Sequence, residues 1–170
     1  MWAKVFGSYH RIERGSTGEA MPYLTHSATG FHVHEKFNRH PDLLWKIIEN
    51  ADIKGYMMTT AVSSEANSEQ NQASLKKAGL VDGHAYSLIS AVNVDISPIK
   101  KQKMVLIRNP WGFKEWEGDW GDNSKLWKEY PSAKKNIEKI LQSRDMQNPH
   151  IIQNKENDGL FWMAFEDFIN

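Results

Sequence analysis

The chain has no cysteine in its 170 residues. That absence excludes a disulfide framework, a cysteine-ligated metal and thiol catalysis by this chain alone. Neither sign of charge is in excess: Lys+Arg and Asp+Glu both total 21, giving a formal net charge of zero. Binding of nucleic acid or an anionic membrane by bulk charge is therefore not expected. The clusters Lys100-Lys101-Gln102-Lys103 and Lys134-Lys135 read as solvated faces. No apolar run approaches the roughly 20 residues of a membrane span, and Met1-Trp2-Ala3-Lys4-Val5-Phe6 lacks the regions of a signal peptide. The chain reads as intracellular, with the cytoplasm as the expected compartment, and its length fits a single domain with a substantial core.

What is present is patterned unevenly. Residues 1 to 40, rich in Gly, Ser and Thr, predict turns and irregular strands after a short amphipathic start. Pro41-Asp42 then introduces Leu43, Leu44, Ile47, Ile48 and Ala51, the spacing of an amphipathic helix that stops before Gly55. Tyr56 to Val62 predicts a strand, and the polar stretch Ser63 to Lys77 a surface loop with room for a helical turn. His84 to Val94 and Lys103 to Arg108 predict two antiparallel neighbours joined by Asp95-Ile96-Ser97-Pro98 and the lysine cluster. Ser132 is the expected cap of a helix carrying Ile137, Ile140 and Leu141, Gln147 to Asp158 reads as a loop, and Leu160 to Phe165 as a last strand. The expected fold class is α+β, antiparallel sheets with flanking helices near residues 42–53 and 132–142.

Two segments carry chemistry: Gly83-His84-Ala85-Tyr86-Ser87-Leu88 and Arg108-Asn109-Pro110-Trp111-Gly112. A thiol or hydroxyl nucleophile needs a base, and the base needs a third group to hold its other ring nitrogen in the right tautomer. His84 opens one strand and Asn109 closes the next, so an antiparallel pair brings the two ends together. An asparagine orienter suits a cysteine nucleophile, because thiolate and imidazolium form an ion pair without a buried carboxylate. On spacing alone the commoner outcome for His84 is a satisfied structural histidine, and for Asn109-Pro110 a simple turn.

The wording of the segments says more. Lys76 to Leu88 (Lys-Lys-Ala-Gly-Leu-Val-Asp-Gly-His-Ala-Tyr-Ser-Leu), Ile107-Arg108-Asn109-Pro110-Trp111-Gly112, Glu115-Trp116-Glu117-Gly118-Asp119-Trp120 and Asp158-Gly159-Leu160-Phe161-Trp162-Met163 resemble, in order, the calpain family of papain-like cysteine proteases. Ala3 to Tyr9 and Gly15-Ser16-Thr17-Gly18-Glu19 extend the resemblance over nearly the whole chain. It implies the C-terminal, β-rich subdomain of a calpain protease core over residues 1–170. His84 would be the general base, Asn109 its orienter, and Trp111 the cover that keeps water from their hydrogen bond. The nucleophilic cysteine would belong to an N-terminal subdomain preceding Met1, met in the same polypeptide or as a separate chain, and this half alone would be inactive.

The resemblance also implies calcium, a hard cation that takes oxygen ligands. Glu115 and Asp122 match acidic positions of one loop and Asp158 one of a second, but Leu160 stands where a further acid is expected. The plainer reading of these acids is a solvated surface. His32, His34 and His40 lack a convincing further zinc ligand, although His32-Val33-His34 in a strand would put two imidazoles on one face. Trp111, Trp116, Trp120 and Trp127 read as core and loop packing, and the resemblance implies a further place for Trp116 at the cleft. Two functions follow: half of an intracellular, calcium-regulated cysteine endopeptidase making limited cuts in protein substrates, or a non-catalytic calpain-like module for assembly or scaffolding.

Overall fold

The structure is a computed structural model that describes residues 2–13, 15–62, 69–144 and 158–170. The chain divides into two units, residues 1–36 and 37–170. The first holds α1 (Trp2–Phe6), a 3-10 turn at His10–Ile12 and α2 (Thr17–Thr25). The second holds α3 (Pro41–Ile53), β1 (Met58–Ala61), α4 (Glu69–Lys77), β2 (Ala85–Ser97), β3 (Lys100–Arg108), α5 (Leu126–Glu129), α6 (Ser132–Ser143), β4 (Leu160–Ala164) and α7 (Phe165–Ile169).

The strands form one antiparallel sheet in the order β1-β2-β3-β4. The fold is α+β, and each face of the sheet has its own cluster. Met104, Leu106, Leu160 and Trp162 pack with Ala133, Ile137 and Leu141 of α6. Val105, Ile107, Phe161 and Met163 pack with Leu44, Trp45 and Ile48 of α3. Burial on both faces explains why β4 reads as an unbroken apolar run rather than an alternation. β2 changes face part-way: Leu88 and Ala91 lie with the α3 cluster and Val92, Val94 and Ile96 with the α6 cluster. The register shift between Leu88 and Ser90 is the bulge that makes this possible.

That bulge is held by a buried carboxylate from the end of α3. Asp52 Oδ2 accepts hydrogen bonds from Ser90 Oγ at 2.8 Å and the Ala91 amide at 2.7 Å, and pairs with the Arg144 guanidinium. Arg144 also donates to the Ala91 carbonyl at 3.0 Å. The acid and its arginine partner therefore satisfy the Ala91 amide and carbonyl at the bulge.

Several expectations change. Residues 17–25 are a helix: Ser16 is the N-cap, accepting from the Gly18 amide at 3.2 Å. His34 begins a 3-10 turn (His34–Phe37) and residues 31–33 form no strand, so the strand expected to carry His32 and His34 is not there. Part of the polar stretch is helix α4; residues 63–68 and most of Gln147 to Asp158 lie outside the described residues. Lys100, Lys101 and Lys103 sit in β3, leaving Pro98 and Ile99 as a tight turn. Ser132 does not cap α6; its hydroxyl donates to the Ile96 carbonyl at 2.8 Å and ties the helix to β2.

Candidate active site

The β2–β3 ladder aligns Ser87 with Arg108. Continued by a few residues, that register lays His84, just before β2, beside Asn109 and Trp111, just after β3. His84 Nε2 and Asn109 Oδ1 are 2.9 Å apart. The orientation of the amide is settled by its other end: Asn109 Nδ2 donates to the carbonyls of Phe113 at 2.7 Å and Lys114 at 3.0 Å. Its Oδ1 therefore faces His84, and since it only accepts, the imidazole proton belongs on Nε2. In the neutral ring the basic lone pair is then on Nδ1. Asn109 Oδ1 also accepts from the Trp111 amide at 3.1 Å, and the Asn109 carbonyl from the Gly112 amide at 3.0 Å. Asn109-Pro110 is thus a turn and a partner of His84 at once. The asparagine is fully buried with all its side-chain bonding capacity used.

Aromatic rings surround the imidazole. The Trp111 ring lies against it with centroids 4.2 Å apart, and Tyr86 meets it edge-on at 4.8 Å. Trp111 also stacks with Phe113 at 6.0 Å and carries the Lys114 ammonium over its ring at 5.5 Å. About half of the Trp111 and Phe113 surfaces remains exposed, so this aromatic pair forms an open edge beside His84. The Tyr86 hydroxyl accepts from the Val81 amide at 2.8 Å, and burial raises the phenol above its ordinary 10.0. Tyr86, Phe113 and Lys114 escape a reading by residue type. Tyr86 stood inside the quoted motif; the other two act through carbonyls that no side chain advertises.

The calpain family cysteine protease profile matches residues 1–170. The chain belongs to the calpain family. Calpain-A of Drosophila melanogaster is 32% identical over 173 residues, which cover 99% of this chain and 19% of that protein. The calpain-2 catalytic subunit of Mus musculus is 31% identical over 169 residues, covering 99% and 21%. Calpain clp-1 of Caenorhabditis elegans is 33% identical over 170 residues, covering 99% and 19%. The chain thus spans about a fifth of the length of these curated relatives.

Within this calpain-family chain the three acids expected at a calcium site are not gathered as a cage. Glu115 is buried, and its Oε1 accepts from the Gly159 amide at 2.6 Å. Asp158 Oδ1 accepts from the Leu160 amide at 2.9 Å, so one oxygen of each acid is engaged by backbone at the same turn. Leu160, where a further acid was expected, packs in the apolar α6 cluster. Among the described residues no group of three or more His, Asp or Glu side chains, Asp122 included, is placed to hold one ion. Trp116 is folded into its own loop, its indole N–H donating to the Asp119 carbonyl at 2.8 Å and its ring against Gly118. Trp120 is buried and meets Trp127 edge-on at 4.9 Å. No helix among the described residues is long and apolar enough to cross a membrane.

Proposed function

We propose that this chain is the base-and-orienter half of a calpain-type cysteine endopeptidase core, its nucleophile supplied by a cysteine outside these 170 residues. The observation that carries the reading is the His84–Asn109 hydrogen bond with the amide locked from behind, which leaves Nδ1 as the proton acceptor. Nδ1 takes the proton of the partner's thiol, and the thiolate attacks the scissile carbonyl. The imidazolium then gives that proton to the departing amine, leaving an acyl-cysteine, and His84 next takes a proton from the water that releases the acid. Asn109 keeps the ring in one tautomer throughout, and Trp111 covers one face of the pair. Protein segments bound extended between the two halves, inside the cell, are the proposed substrates, and limited cleavage the outcome.

The partner is the cysteine-bearing subdomain, in cis or in trans. The test is to mix this chain with a cysteine-bearing calpain half and follow cleavage of a fluorogenic peptide. The chain alone should show no turnover, and His84→Ala should lower the mixture's rate by about 10²–10⁴-fold. Complex formation without turnover would instead support the scaffolding module, which the missing cysteine favours.

A further inference from the structure

We infer that Glu115 is a positioning residue for Asn109, acting through a direct bond to the Gly159 amide at a position where the family resemblance implies a cation ligand. The inference deepens the catalytic reading and rests on it for its functional meaning. Its own geometry is independent of any hydrolysis.

Gly159 is held from both sides by one loop. Its carbonyl accepts from the Asn109 amide at 2.7 Å, and its amide donates to Glu115 Oε1 at 2.6 Å. The first and last residues of the 109–115 segment are thereby pinned to a single residue of the 158–160 turn. The fit is close: Gly159 has φ +82°, and a Cβ there would meet the Asn109 carbonyl oxygen at 2.6 Å and Gly112 Cα at 2.9 Å. A second wall supports Glu115 from the turn after α4. A Cβ on Gly79 would come within 1.8 Å of the Glu115 carbonyl oxygen, and the Glu117 amide donates to the Ala78 carbonyl at 3.0 Å.

The consequence reaches Asn109 through Lys114. Lys114 has φ +62°, a conformation costly for a residue with a side chain, and in it the carbonyls of Phe113 and Lys114 both reach Asn109 Nδ2. Glu115 follows directly, so its anchor on Gly159 holds the strained residue where it aims those carbonyls. Removing the anchor lets Lys114 relax, and the amide that orients His84 loses its rear support.

The experiment follows the His84 imidazole by nitrogen-15 NMR in the full chain, with calcium chloride titrated calorimetrically and in the spectra. The intact chain is expected to show the Nε2–H tautomer, no saturable calcium heat and no calcium-induced shift of His84. Glu115→Ala should speed exchange of the Nε2 proton about tenfold, whereas Glu115→Gln, which keeps an oxygen acceptor, should stay within about twofold. A Glu115→Ala chain of lowered stability but unchanged imidazole would overturn the inference, leaving Glu115 a structural residue only. So would a Glu115→Gln chain as impaired as Glu115→Ala, or saturable calcium binding that shifts His84 in the unaltered chain. If Glu115→Ala does not fold, the glutamine variant and the calcium titration still decide. None of these readouts involves peptide cleavage, so failure of the protease reading shows separately in the mixing assay.

Discussion

Asn109 has both amide protons and both carbonyl lone pairs engaged inside the fold, so its replacement is felt by four partners. Asn109→Asp would turn an acceptor toward the carbonyls of Phe113 and Lys114, where a donor now sits. A loss of about 2–4 kcal/mol is expected, measured as a lower urea midpoint. Tyr86 gives a pH signature. Burial raises its phenol above the ordinary value despite the Val81 amide it accepts, so the folded state keeps a proton that the unfolded chain releases. Its contribution is complete below pH about 10 and declines as pH rises through the raised folded value. Urea midpoints taken from about pH 8 to 11 should fall less steeply in Tyr86→Phe, at a neutral-pH cost of about 1 kcal/mol for the unpaired Val81 amide. His84 and Asn109 were legible in sequence because their neighbours form ordered motifs. Lys114 was not, since a left-handed lysine has no compositional mark.

The elements around the site depend on the β2 bulge. Without it Val92, Val94 and Ile96 would face α3 with Leu88, and a one-residue change of register flips a strand's side chains to the other face. Asp52→Ala would strand the Ser90 hydroxyl, the Ala91 amide and the Arg144 guanidinium together. A loss of about 3–5 kcal/mol is expected from chemical denaturation, far above that of an exposed pair such as Asp95–Lys101. α3, β3 and β4 were readable because periodicity or a continuous apolar run reports burial directly. Helix α2 is harder to read: Ser16-Thr17-Gly18-Glu19 is a serine N-cap with glutamate three residues on, but the glycines around it favour turns. The Ser132 bond to Ile96 is long-range, and sequence proximity could not separate it from a helix cap.

At the scale of the molecule, one sheet brings the ends of β2 and β3 together, and the turn before β4 supports the loop that carries Asn109. The family was legible because motifs from every part of that arrangement occur in order, and the profile match over residues 1–170 agrees. Leu160 in place of an acid was legible in the sequence, but the bond from the Gly159 amide to Glu115 needed the fold. The claim that matters most is that His84 is poised to activate a thiol supplied from outside these residues. The most direct measurement is the rate at which iodoacetamide alkylates the cysteine of a calpain N-terminal half at pH about 6, where an isolated thiol reacts slowly. Saturating amounts of this chain should raise that rate at least about tenfold by forming the thiolate–imidazolium pair, and the His84→Ala chain should not. Equal acceleration by both chains, or none from a saturated complex with the unaltered chain, would contradict the account.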